Sequence, residues 1–176
     1  KLYSDVLGYD EIIYDKTGRF DDFSDLPSGD ETFRRVLLSK KAKSGGFSNL
    51  FGTSQIELVQ SISRTPNKIF ANRYWGDIGF IHLCFDVRNI GAVVKDCKAA
   101  GFPFQVLVDD EFDMGDANGN WGYLEDPDGT LIEFVETLKV PLIKKIGWTI
   151  NMKKRNPTKP LPDWLIKAMS FNRVKF

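Results

Sequence analysis

Gly79-Phe80-Ile81-His82-Leu83-Cys84-Phe85-Asp86-Val87 alternates along its length. Ile81, Leu83, Phe85 and Val87 fall on one side, and His82, Cys84 and Asp86 on the other. A period of two in an apolar, β-branched run predicts a strand with one fully buried face. His82 is the only histidine in the 176 residues and lies opposite that face. A lone histidine there is most simply a half-buried side chain bonded to its neighbours. Only its company can argue for more.

Upstream, Leu2, Tyr3, Val6 and Leu7 have helical spacing, and Gly8 suits the left-handed position just past a helix end. Strands are expected over Tyr9–Tyr14, Thr32–Lys40 and Gln55–Gln60. Acidic turns at 15–31 and a glycine-serine loop at Lys43–Thr53 separate them. A connection over 61–77 ends in Tyr74-Trp75 before the quoted stretch. Downstream, Asn89 is a fair N-cap for a helix Ile90–Ala100 with an apolar stripe, ended by Gly101. Strands are then expected over Pro103–Val108, Trp121–Leu124 and Thr130–Val135, with an acidic loop over Asp109–Asn120 and a tight turn at Asp126-Pro127-Asp128-Gly129.

The two halves repeat weakly. Gly8-Tyr9 answers Gly101-Phe102, three strands follow each, and the third reads Ile56-Glu57-Leu58 in one half and Ile132-Glu133-Phe134 in the other. The expectation is an α+β fold with a βαβββ-like unit over 1–75, a second over 76–136, and an extension over 137–176. The first unit lacks its opening strand.

Net charge is zero, yet residues 137–176 hold ten Lys or Arg against the single acid Asp163, leaving the body near −9 and the tail near +9. Such a tail can serve nucleic acid or a membrane surface; the simpler expectation is that it lies across its own acidic body. Nucleic acid finds no support in the first 136 residues. Trp148, Trp164, Phe171 and Phe176 need burial, and Asn156–Pro162, with three prolines, links to a short helix capped by Asp163. This segment is expected on the outside of the sheet, on a second subunit of a homodimer, or over the cleft as a lid. Cys84 and Cys97 form no disulfide framework and are expected to be buried free thiols. No apolar run approaches a membrane span, so no membrane partner is expected and a cytoplasmic location is.

Glu57, His82 and Glu133 share a position type: each lies on a strand opposite its apolar face. A glutamate flanked by Ile, Leu or Phe is costly to bury unless paired or bound to a metal, though either could simply face solvent. Imidazole with carboxylates suits Zn, Ni, Co, Mn or Fe without choosing among them.

Three stretches now carry a resemblance: Leu2-Tyr3-Ser4-Asp5-Val6-Leu7-Gly8-Tyr9, Ile81–Val87, and Tyr123-Leu124-Glu125-Asp126-Pro127-Asp128-Gly129-Thr130-Leu131-Ile132-Glu133-Phe134. Residues 1–136 resemble the vicinal oxygen chelate superfamily, the glyoxalase, bleomycin-resistance and extradiol-dioxygenase group. The resemblance implies paired βαβββ units forming a cup-shaped mixed sheet around one divalent metal ion. Glu57, His82 and Glu133 match three of its four ligand positions, and the fourth falls on the strand missing before Lys1. It implies a lyase or isomerase, lactoylglutathione lyase-like, that moves a proton on a small vicinal-oxygen substrate such as a hemithioacetal or thioester. Glu133 or Glu57 would be the catalytic carboxylate. Trp121, Tyr123 and Arg35 are the expected substrate-binding residues. The alternatives are a metal-free small-molecule binding protein of the bleomycin-resistance kind, with Trp121 and Tyr123 lining its cleft, or an Fe-dependent extradiol dioxygenase. The latter requires a second histidine from the missing strand.

Overall fold

The computed structural model describes residues 1–40, 45–113 and 118–172. The chain opens in a helical turn, Leu2–Val6, closed by Gly8 in the left-handed region at φ 75°. Strands β1 (Glu11–Gly18), β2 (Phe33–Ser39) and β3 (Gln55–Ser61) then form an antiparallel three-stranded sheet in that order. A short helix α1 (Ser48–Phe51) interrupts the loop between β2 and β3. The second sheet contains β4 (His82–Asp86), β5 (Val106–Asp113), β6 (Asn118–Glu125) and β7 (Leu131–Ile143), in the order β4-β7-β6-β5. Helix α2 (Ile90–Ala99) joins β4 to β5, so β4 pairs parallel with β7 while the other pairs are antiparallel. A final strand β8 (Trp148–Asn151) extends the far end of β7, and a short helix α3 (Asp163–Ala168) follows. The architecture is α+β with mixed strand pairing, as expected.

Strand β7 is the spine of the larger sheet. Its even-numbered residues from Ile132 to Leu142 are buried and its odd-numbered ones half-buried, the period-two signature of a strand with one face in a core. Ile132 and Phe134 join Leu124, Ile90, Cys97 and, from the first half, Leu2, Leu7, Tyr9 and Leu38 in the main core. Farther along, Val140 and Leu142 pack with Met152, Leu161 and Leu165 in a second cluster. The chain from 137 onward therefore begins as a continuation of β7, because the apolar alternation continues through Leu138, Val140 and Leu142 without a turn signal.

Glu136 is the charged residue on the buried face of β7. Its carboxylate accepts from the backbone N–H groups of Asn89 at 2.7 Å and Ile90 at 3.2 Å, at the start of α2. A carboxylate there satisfies orphan donors and complements the helix dipole. Asn89 caps the same helix as expected, its Oδ1 accepting from the Ala92 N–H at 3.3 Å. The Asp126–Gly129 turn also forms, Asp126 accepting from the N–H groups of Asp128 and Thr130.

Several expectations are corrected. The quoted stretch is a strand over His82–Asp86 only, and its apolar face is not fully buried: Leu83 is 36% exposed where it borders a cavity. Cys97 is buried, but Cys84 is exposed, because β4 is the end strand of its sheet. The strand expected from Tyr9 runs over Glu11–Gly18, where pairing with β2 begins and ends. The acidic segment after Val108 continues β5 to Asp113, and β6 begins at Asn118; residues 114–117 lie outside the described residues, as do 41–44. Trp148, Trp164 and Phe171 are exposed, not buried, while Phe176, Arg173 and Lys175 lie outside the described residues. Asp163 is the first residue of α3 and not its cap; Pro162 holds that position.

The smaller sheet carries a charge clamp. The Arg35 guanidinium lies over the rings of Phe20 and Phe23, 4.8 and 4.3 Å from their centroids. It donates through Nη1 to Asp22 at 2.7 Å, and through Nε and Nη2 to Glu57 at 2.7 and 3.1 Å. The Tyr14 hydroxyl donates to the same Glu57 carboxylate. The planar fork of arginine suits this shared recognition. The clamp thus ties the helical turn Asp21–Phe23 to β2 and β3.

Truncating Phe134 to Ala in the main core should cost about 3–5 kcal/mol of stability, read from the denaturation midpoint. Arg35→Ala should release the Phe20–Phe23 turn, making limited proteolysis there faster than in the parent chain. Arg35 holds the Glu57 carboxyl below its ordinary range. Its stabilisation is therefore fully present above the unfolded pKa of about 4.3 and is lost as pH falls through the lower folded value. An acid titration of stability should show this loss in the parent chain and a weaker one in Arg35→Ala.

Candidate functional site

Glu133 lies between two neighbours fixed by strand register. Across β7 to one side its partner is Cys84 of β4, and to the other side Tyr123 of β6. Directly opposed residues on adjacent strands point to the same face, so the three side chains are brought together by pairing alone. His82, two residues before Cys84, shares that face.

Both carboxylate oxygens of Glu133 are engaged. His82 Nε2 stands 3.0 Å from Oε2, and the Tyr123 hydroxyl donates to Oε1 at 2.5 Å. Although Cys84 as a residue is exposed, its sulfur is crowded by neighbouring protein; this desolvation, with a thiol bond to the same carboxylate, pushes its pKa up to about 12. Cys84 is therefore a protonated donor at neutral pH, not a thiolate nucleophile. Burial and the Glu133 contact also raise the Tyr123 phenol well above its ordinary value. The result is a half-buried carboxylate held between His82, Tyr123 and Cys84.

Aromatic rings wall this group. Trp75 stacks nearly parallel to the His82 ring, 8° between planes and 6.2 Å between centroids. Tyr123 meets Trp75, His82 and Trp121 edge to face, each at 5.5 Å. His82 Nδ1 is buried without a hydrogen-bond partner. Thus the imidazole offers one nitrogen to Glu133 and keeps a second polar atom uncommitted.

The sequence-predicted residues divide between two places. His82, Glu133, Tyr123 and Trp121 come together on the larger sheet. Glu57 and Arg35 are joined to each other on the smaller sheet, in the clamp with Asp22 and Tyr14. Among the described residues no group of three or more His, Cys, Asp or Glu side chains is arranged to hold a metal ion. The expected set of Glu57, His82 and Glu133 is therefore not gathered: Glu57 has a cation and a phenol as partners instead. Trp75 and Cys84 were not among the predicted site residues. The alternation that places Cys84 beside His82, and the Tyr74-Trp75 pair just before the strand, were the signals available.

A protein-family model described as the glyoxalase/bleomycin resistance protein/dioxygenase superfamily matches residues 1–134. No curated protein matches the chain. Among solved structures, a glyoxalase family protein from Bacillus cereus is similar at 15% identity and a TM-score of 0.52, over 72% of this chain and 77% of that one. A glyoxalase family protein from Enterococcus faecalis is 20% identical over 72% and 77% of the two chains, with a TM-score of 0.44. A lactoylglutathione lyase from Agrobacterium tumefaciens is 20% identical over 77% and 80%, with a TM-score of 0.35. At these identities the first likeness speaks for the fold alone, and the other two superpose too loosely to carry an argument. The family model, spanning the helical turn, both sets of strands and the site on β4, β6 and β7, establishes that the chain belongs to the glyoxalase/bleomycin resistance protein/dioxygenase superfamily.

Proposed function

We propose that the chain is a glyoxalase-type lyase or isomerase that moves a proton on a small substrate bearing neighbouring oxygens, with Glu133 as the proton-carrying carboxylate. The observation that carries this reading is the doubly held Glu133 inside an aromatic wall, with His82 on one oxygen and Tyr123 on the other. A substrate oxygen that takes the Tyr123 hydroxyl as its own donor frees Oε1. The freed oxygen can then accept a proton from the carbon next to the substrate carbonyl. The electron pair left behind moves onto the carbonyl oxygen, where the Tyr123 hydroxyl stabilises the developing charge. Protonated Glu133 returns the proton to the former carbonyl carbon while the hydroxyl on the first carbon passes its proton to the neighbouring enolate oxygen and becomes the new carbonyl; His82 keeps the carboxylate in place throughout. Trp75 and Trp121 flank the exchange through their ring contacts with His82 and Tyr123.

A divalent metal ion would supply Lewis-acid polarisation of the substrate oxygens. His82 Nε2 and Glu133 are the donors this chain holds together for it, and Glu57 is committed to Arg35. Two side chains fall short of the three protein ligands usual in catalytic zinc sites. The residues present therefore do not fit a complete metal site, and the steps above use none.

The second reading is a metal-free small-molecule binding protein, favoured by the contiguous Trp75, Tyr123 and Trp121 rings. The two readings separate in one experiment. The chain is incubated in deuterated water with hemithioacetals of an α-ketoaldehyde and a thiol, with metal-stripped and Zn-, Ni-, Co-, Mn- or Fe-supplemented samples compared. Proton exchange and product are followed by NMR, and metal content is measured alongside. The expected outcome is exchange that falls 10²-fold or more in Glu133→Gln and about tenfold or more in Tyr123→Phe, both folded by circular dichroism. Saturable binding of these compounds with no exchange under any metal condition would overturn the enzyme reading and leave the binding protein.

A further inference from the structure

Three aromatic side chains of the extension that call for burial, Trp148, Trp164 and Phe171, are exposed instead. Between β7 and β8 the chain turns through Lys144–Ile146 and Gly147, which closes the turn in the left-handed region at φ 66°. Residues 144–149 are all exposed. Ile146 is 71% exposed and Trp148 43%, and Lys144 and Lys145 directly precede them.

Helix α3 repeats this composition on its outer side. Its inner side belongs to the second core cluster: Leu165 is buried there, and Ile166 and Met169 pack against it, as do Ile143 and Ile150 at the base of the β7–β8 turn. Trp164 and Lys167, three residues apart and both exposed, share the opposite face. Phe171, also exposed, follows in the turn Met169–Asn172. Apolar rings and lysines thus alternate on the uncovered side of one small core.

Charge is segregated in the same direction. The extension is near +9 and the body near −9, with Asp163 the single acid beyond residue 136. Such a dipole turns the extension toward a negative surface. The residue types favour one kind of surface. Protein interfaces are depleted in lysine. A single nucleic-acid strand is held by stacking rings along a charged groove, and the most exposed apolar side chain of the turn, Ile146, is aliphatic. An anionic bilayer takes aliphatic and indole groups at headgroup level while lysine amines stay among the phosphates.

We propose that the β7–β8 turn and the outer face of α3 dock on an anionic lipid bilayer. Ile146 and Trp148 enter the headgroup region, and Lys144, Lys145 and Lys167 meet lipid phosphates. The contact is peripheral, since no helix among the described residues is long and apolar enough to cross a membrane. It departs from the expectation of no membrane partner, which the lack of a long apolar run supports only for spanning segments. Glu133 and Ile143 lie ten positions apart on β7, and docking here does not depend on the proton-transfer reading.

The test is co-sedimentation of the full chain with vesicles of phosphatidylcholine alone and of phosphatidylcholine mixed with phosphatidylglycerol. The mixed vesicles should bind at least tenfold more tightly, and added salt should narrow the difference. The double variants Ile146→Ser/Trp148→Ser and Lys144→Gln/Lys145→Gln, both at exposed positions and checked for folding by circular dichroism, should each weaken binding about tenfold or more. No binding to the mixed vesicles, equal binding to both kinds, or unchanged affinity in both variants would overturn the proposal. So would a parent chain that ignores vesicles but dimerises through this face, with Ile146→Ser/Trp148→Ser monomeric, or one that ignores vesicles and binds oligothymidylate in a salt-sensitive way.

Discussion

The parity of β7 is the constraint on which the larger sheet depends. A strand must send successive side chains to opposite faces, and β7 does so across thirteen residues. Its even positions supply Ile132 and Phe134 to the main core and Val140 and Leu142 to the second cluster. Its odd face carries Glu133 to His82 and Tyr123. A one-residue slip would exchange the two sets, burying Glu133 in the apolar core and placing Phe134 among the polar donors. Glu136, on the even face, is tolerated because the start of α2 meets it with two backbone donors. Core, helix anchor and the His82–Glu133–Tyr123 group are thus fixed by one register.

The same logic explains why Glu57 stands apart from Glu133 despite the matching sequence around it. Both follow an isoleucine on the last strand of their sheet segment, and both end up half-exposed. What differs is the neighbouring strand. Glu133 has Tyr123 and Cys84 directly opposite, and His82 Nε2 3.0 Å from its other oxygen. Glu57 has Arg35 within reach on β2, and a guanidinium satisfies a carboxylate more completely than a phenol or thiol can. The cation holds Glu57 ionised and occupied, and the stacked Phe20 and Phe23 rings hold the cation. One glutamate became a fastening for a cation, and the other sits among an imidazole, a phenol and a thiol.

Much of this was legible in the sequence, and the limits have physical causes. The alternation around His82, the Asn89 cap, Gly8 and Gly101 as helix ends, and the Asp126–Gly129 turn are local signals, and each appears in the structure. The alternation grouped Glu57, His82 and Glu133 as one position type; in the structure His82 meets Glu133, and Glu57 is tied to Arg35 on the smaller sheet. Pairing between distant segments was harder to see. Arg35 with Asp22 and Glu57, and Glu136 with the start of α2, depend on register that no local pattern specifies. Burial of the β4 apolar face also could not be inferred from alternation. Alternation tells which side chains share a face; whether that face is covered depends on what packs over it. Here a cavity lies over Leu83.

The C-terminal extension shows what a charge count leaves unsaid when it is read without topology. A tail near +9 beside a body near −9 invites a picture of one lying over the other. The chain instead continues β7, adds β8, and closes a small core in which Met152, Leu161 and Leu165 meet Val140 and Leu142. Asn49 of α1 fastens this turn from the other half, donating to the Leu161 carbonyl at 3.3 Å and to Asp163 at 3.1 Å. Packing, not charge, therefore fixes where the extension sits. Once it is placed, Arg155 and Lys159 reach a cavity that contains little opposing charge.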